Sequence, residues 1–119
     1  MLKHVDPTLI VKAVPPSEGQ QSLVLKLTGH LAGENAHLLK RAVDPVFISP
    51  TPPSVRLIMD DVYYIDSTGV GVIVSIVQQM QRHGGKLEIS GLSDVGRQLL
   101  SILRLTSLSD YVTVVGNPG

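Results

Sequence analysis

Leu57-Ile58-Met59-Asp60-Asp61-Val62-Tyr63-Tyr64-Ile65-Asp66-Ser67-Thr68-Gly69-Val70-Gly71-Val72-Ile73-Val74-Ser75-Ile76-Val77 is the stretch on which the fold turns. Val55 to Met59 read as a strand of β-branched and aliphatic residues that stops near Asp60-Asp61. The far end, from Gly69 to Val77, has the composition of a strand, but its place directly after another strand favours a helix. Periodicity separates the two. Val70, Ile73, Val74, Val77 and Met80 fall at i, i+3, i+4, i+7 and i+10, and Gln78, Gln79, Gln81 and Arg82 make a polar last turn closed by Gly84-Gly85. Asp66, Ser67 and Thr68 supply the cap. The spacing predicts a helix over 68–83, its poor intrinsic propensity offset by packing against a sheet.

Upstream, Thr8 to Val14 read as a strand between Pro7 and the Pro15-Pro16-Ser17-Glu18-Gly19 break. In Ser22 to Thr28, Leu23, Leu25 and Leu27 alternate with Val24, Lys26 and Thr28, the period of a strand with one buried face. These two strands are expected to pair as a hairpin. Gly29 to Gly33 reads as a short turn, followed by a helix on which Ala36, Leu39, Ala42 and Val43 share a face and which Asp44-Pro45 ends. Downstream, Lys86 to Ile89 give a strand, Ser93 caps a third helix with an apolar face of Val95, Leu99, Ile102 and Leu103, and Tyr111 to Val115 give a last strand. A strand, helix, strand order implies parallel pairing. The fold class is therefore α/β, a mixed, mostly parallel sheet with helices packed on it. It forms one domain over 1–119 with its core at about 8–115, and Leu25, Ile58, Ile73, Val77 and Leu99 are expected to be buried in a monomeric core.

Composition narrows the function. A chain of 119 residues at 43% apolar content suffices for an ordinary core, so disorder is not the main state. The absence of cysteine excludes a disulfide scaffold, an iron-sulfur protein, a thiolate zinc site and a cysteine nucleophile. Ten basic and ten acidic side chains cancel, which argues against a nucleic-acid partner, and one phenylalanine, three tyrosines and no tryptophan offer little for base stacking. No apolar run is long enough to span a membrane and the start has no secretory apolar region, so the expectation is a cytoplasmic protein with no direct membrane insertion.

In an open parallel sheet, ligands and partners meet the loops beyond the carboxyl ends of the strands, and Asp60 to Ser67 lead from such an end into a helix. A serine there can be a structural cap, or it can carry a phosphate that helix N–H groups stabilise. Asp60, Asp61 and Asp66 could in principle serve a magnesium ion, but a helix-start charge cluster explains them as well, and no metal site is expected. Gly69 and Gly71 make no dinucleotide or phosphate-loop fingerprint, and close packing of the helix on the sheet accounts for them. His4, His30, His37 and His83 are scattered, which argues against zinc. Ser67 lacks the Gly-x-Ser-x-Gly setting of a hydrolase, and although His30 could lie near it across adjacent strand ends, one proximity is not a triad. Neither an enzymatic role nor a cofactor is expected.

Asp60, then Ile65-Asp66-Ser67-Thr68-Gly69-Val70-Gly71, then Gly84-Gly85-Lys86 and the tail Leu99 to Leu105 resemble the anti-sigma factor antagonists of the STAS family, in the same order of elements from about Thr8 to Val115. The resemblance implies that Ser67 matches the serine phosphorylated by a partner anti-sigma factor acting as a serine kinase, with a serine phosphatase reversing the step. The unphosphorylated form would bind the kinase and free its sigma factor. Gly29, His30, Ala32, Asp66, Ser67, Thr68 and Gly69 would then face the partner. Two departures stand out. Gly29-His30-Leu31-Ala32 stands where the family often has Gly-Glu-Leu-Asp, so an acidic side chain beside Ser67 is missing, and Ser107-Leu108 replaces a Gly-Leu. The rival expectation is a related adaptor or assembly subunit of a signalling complex or a membrane transporter, with the fold but no working switch; Ala32 favours it and the intact Asp66-Ser67-Thr68-Gly69 opposes it.

Overall fold

The computed structural model describes residues 8–15, 22–91, 97–98, 101 and 110–115. Strands β1 (Leu9–Val14), β2 (Leu23–Leu31), β3 (Ser54–Ile65), β4 (Lys86–Ser90) and β5 (Val112–Val115) form one sheet in the order β1-β2-β3-β4-β5. The β1/β2 pair is the expected antiparallel hairpin, with Val11 opposite Leu27 and Ala13 opposite Leu25, and the remaining pairs are parallel. Helix α1 (Ala36–Val43) crosses from β2 to β3 and α2 (Ser67–His83) from β3 to β4. Right-handed crossovers taken always in the same direction across a sheet leave their helices on one face.

Burial follows from that topology. Leu25, Leu27, Leu57, Met59, Leu87 and Ile89 of the sheet close on Leu39 and Val43 of α1 and Ile73, Val77 and Met80 of α2 in a single core. The opposite face carries Ile10, Lys12, Val24, Lys26, Arg56, Ile58 and Glu88, tied by ion pairs between Lys26 and Asp61 (3.5 Å) and between Arg56 and Glu88. Ile58, expected in the core, is only half-buried because it shares this face with its neighbours in register, Lys26 and Ser90. Leu25, Ile73 and Val77 are buried as expected. Leu99, with the rest of the third helix's apolar face, lies outside the described residues.

Two strands run further than their sequence suggests. β3 continues through Asp60-Asp61 to Ile65, because its register against β2 slips by one residue between Lys26 and Thr28 and again between Gly29 and His30. Each slip is a β-bulge that adds a residue to β3, so the in-out alternation breaks although pairing continues. β2 likewise passes through Gly29, which was expected in a turn, to Leu31. Gly29 sits at φ +113°, and a Cβ there would fall inside the Thr8 carbonyl oxygen, to which the next N–H, that of His30, donates at 2.9 Å. The glycine thus allows the close approach of the Thr8 carbonyl where β1 begins to pair with β2.

Helix α2 begins one residue earlier than expected, with Asp66 alone as its N-cap, and ends at Gly84, left-handed at φ +68°, with the Gly85 N–H donating to the Met80 carbonyl at 2.8 Å. Its buried face includes Gly69, Val72 and Ile76 beside Ile73, Val77 and Met80, whereas Val70 and Val74 are half-buried. The apolar arc is wider than the stripe counted from Val70, as suits a helix lying on both a sheet and α1. Gly71 faces solvent with open space around it, so packing on the sheet does not explain it.

Candidate functional site

β3 and α2 are joined by one residue. Ile65 still pairs with Leu31, and the Asp66 N–H donates to the Leu31 carbonyl at 3.4 Å, so β2 holds the chain up to the helix start. Asp66 has extended backbone, which turns its side chain back over the first turn. One carboxylate oxygen, Oδ1, accepts from the Gly69 N–H at 2.9 Å, and the other, Oδ2, accepts from the Gly33 N–H at 3.0 Å. The Gly69 N–H above all, with those of Gly33 and Thr68, holds the Asp66 carboxyl below its ordinary 3.8 despite some desolvation. A carboxylate at the positive end of a helix is also favoured by the macrodipole.

Ser67 and Thr68 follow, both exposed. Ser67 is the first residue of α2 and not part of the cap. Gly69 is buried beneath them, since a Cβ there would fall inside the Leu31 carbonyl oxygen and 2.8 Å from Ile65 Cγ1. This contact seats the first turn of α2 on the ends of β2 and β3.

Beside that turn lies a recess of about 440 Å³ lined by His30, Ala32, Gly33, Glu34, Asn35, Tyr64 and Asp66. The His30 and Tyr64 rings form one wall, with centroids 5.6 Å apart and planes tilted by 43°. A 3-10 turn, Gly33–Asn35, forms the other wall and feeds into α1; its N-cap, Ala32, offers no side-chain hydrogen bond. Of the residues expected at the site, His30, Ala32 and Asp66 line this recess, Gly69 underlies its rim and Ser67 and Thr68 are exposed next to Asp66 in the chain. Gly29 does not line the recess and pairs with Leu9 of β1, and the ring neighbour of His30 is Tyr64. Tyr64, Gly33, Glu34 and Asn35 were not expected there. Tyr64 was hidden by the second bulge, which exposes Tyr63 (68%) and Tyr64 (50%) in succession, where a regular strand would bury one of them.

The three aspartates do not converge. Asp61 pairs with Lys26, Asp60 lies against Gly91 and Asp66 caps α2. Among the described residues no group of three His, Asp or Glu side chains could hold a metal ion, and no helix is long and apolar enough to cross a membrane. What the geometry offers is two exposed hydroxyls, those of Ser67 and Thr68, on a fixed helix start, beside a charged carboxylate and a shallow aromatic recess.

Comparison with known proteins bears on the family and the fold. The family model for the STAS domain matches residues 13–117. The anti-sigma-B factor antagonist of Bacillus subtilis is 25% identical over 101 residues, which cover 85% of this chain and 88% of that protein. The unphosphorylated anti-sigma factor antagonist SpoIIAA superposes with a TM-score of 0.65 over 93% of this chain and 90% of its own at 12% identity, a likeness of fold. The same fold recurs in the murine anion transporter Slc26a9, with a TM-score of 0.65 over 92% of this chain but 21% of the transporter, at 8% identity. With a family match across nearly its whole length and a mixed five-stranded sheet of SpoIIAA type, the chain belongs to the STAS domain family and has anti-sigma factor antagonists among its homologues.

Proposed function

We propose that this protein is a cytoplasmic anti-sigma factor antagonist that works by partner switching, with Ser67 as its phosphoacceptor. The observation that carries this reading is the presentation of Ser67, exposed on the first turn of α2 directly after the clamped Asp66, in a chain whose relatives include an anti-sigma factor antagonist. The partner is an anti-sigma factor that is also a serine kinase. Ser67 Oγ takes the terminal phosphoryl group of ATP bound to that kinase, ADP leaves, and the hydroxyl proton passes to a base of the kinase. A serine phosphatase restores the hydroxyl. The phosphate adds about 1.5 to 2 negative charges beside an Asp66 that is already anionic, at a helix start that tolerates anions. The fold survives, whereas a partner surface fitted to a neutral hydroxyl faces a second anion, and each 1.4 kcal/mol of that mismatch costs about tenfold in affinity.

Calorimetry with the kinase partner purified from the native cells tests this. Unmodified protein and Ser67→Ala are expected to bind alike, and Ser67→Asp and the phosphorylated form at least about tenfold more weakly, all with similar melting temperatures. Equal affinity of the four forms would remove the switch. A non-switching adaptor beside a transporter or within a signalling complex is the second reading, favoured by the fold's recurrence in an anion transporter and by the missing carboxylate at Ala32.

A further inference from the structure

Asp66 serves two helix starts at once. Through Oδ1 it caps α2, and through Oδ2 it holds the Gly33 N–H at the start of the turn that leads into α1. That turn has no cap of its own, because Ala32 brings no acceptor. Gly33 and Glu34 are exposed, and Gly33 sits at φ +54° with open space around its Cα, so side-chain packing does not fix the turn's first residue. The elements that meet here belong to different crossovers, with Gly33 thirty-three residues before Asp66 in sequence.

We infer that Asp66 is a latch between Ser67 and the Gly33–Asn35 turn, and that a phosphate on Ser67 opens it. This rests on Ser67 being the phosphoacceptor. A phosphate bonded to the residue after Asp66 draws on the same first-turn N–H groups of α2 that the carboxylate now uses, and it repels that carboxylate. α2 loses nothing, since one anion takes the place of another at its N-terminus. Gly33 loses its Asp66 acceptor, and Ala32, the N-cap of the turn, brings none to replace it. The effect spreads beyond the phosphate's own footprint, because Glu34 and Asn35 of the turn also border a second recess of about 570 Å³ with His37, Leu38 and Arg41 on α1. Phosphorylation then alters the α1 side of the surface as well as the Ser67 side, with the sheet and core unchanged.

Amide hydrogen exchange by NMR tests the latch on the intact chain, with phosphoserine installed at position 67 during synthesis so that no kinase is needed. The expected result is a rise of about tenfold or more in exchange at Gly33, with core amides such as that of Ile73 unaffected. Asp66→Asn is the second variant. Asparagine caps a helix as well as aspartate does, but it offers one acceptor oxygen in place of two, so Gly69 should keep its protection and Gly33 should lose it. Ser67→Ala should leave both sites as they are. Unchanged or slower exchange at Gly33 in the phosphorylated protein, or in Asp66→Asn, would overturn the latch. Loss of the latch would leave the switch standing, because affinity for the kinase is measured separately. Failure to find a kinase for Ser67 would likewise leave the exchange result intact.

Discussion

Asp66, Gly69 and Gly71 carry different tasks within six residues, and each task has its own signature. The folded-state pKa of Asp66 lies below its ordinary 3.8, so its stabilising effect is complete above 3.8 and fades as pH falls through the folded value. Asp66→Ala should therefore melt below the unmodified protein at neutral pH, and the two melting curves should converge in acid below pH 3.8. A gap that stays constant on acidification would show that the carboxylate's charge is not what stabilises the site. The two glycines should respond in opposite directions. Gly69→Ala drives a methyl into the Leu31 carbonyl and should cost about 1 to 3 kcal/mol in chemical denaturation even after the gain in helix propensity. Gly71→Ala meets only solvent, in ordinary helical backbone, and should add about 0.4 to 1 kcal/mol. The Asp-Ser-Thr-Gly run is legible in sequence because capping is local. That Gly71 has no packing role is not legible, since Val70, Val72, Ile73 and Val74 around it are all apolar and blur the edge of the buried arc.

At the scale of elements, what the sequence conveys depends on whether a pattern survives the geometry. α1 keeps its period, with Ala36, Leu39 and Val43 buried, and lies where that period places it. β3 does not, because its two bulges break the alternation at Asp60-Asp61 and again at Tyr63-Tyr64, so a pattern reader stops the strand six residues early and misses Tyr64 as a wall of the recess. Gly29 misleads in the same way, since a positive φ inside a strand looks like a turn. The recess itself is built from β2, the Gly33–Asn35 turn and β3, three pieces far apart in sequence. The opposed faces of the sheet give an energetic check. Ile73→Ala, at a fully buried position between α2 and the sheet, should cost about 2 to 5 kcal/mol, whereas Ile58→Ala, on the face away from α1 and α2, should cost about 1 kcal/mol because solvent already reaches it. Equal losses in urea denaturation would mean that something covers the second face.

For the whole molecule, the arrangement of crossovers decides what a partner can read. Both described helices lie on one face of the sheet, and the Ser67 site lies at the end of that layer where β2 and β3 outrun β4. The family and the mixed, mostly parallel character of the sheet were legible because the Ile65 to Gly71 run and the alternation of strands and helices both survive in the chain; the strand order came from the structure, and a surface complementary to another protein leaves no period behind. The single-residue joint between β3 and α2 has one more consequence. A serine in an exposed linker can be recognised as a string of letters, but Ser67 acquires its setting only when Leu31, Ile65 and Gly69 have come together. A peptide spanning residues 60–74 is too short to hold a helix in water, and it should be phosphorylated roughly a hundredfold less efficiently than the intact protein by the same kinase, as kcat/KM. Equal rates would show that the kinase reads the string alone. Under the switch proposed above, that outcome would make the kinase take a census of finished molecules: chains still emerging from the ribosome, or unfolded by stress, would be neither modified nor bound, and the signal would scale with the folded population.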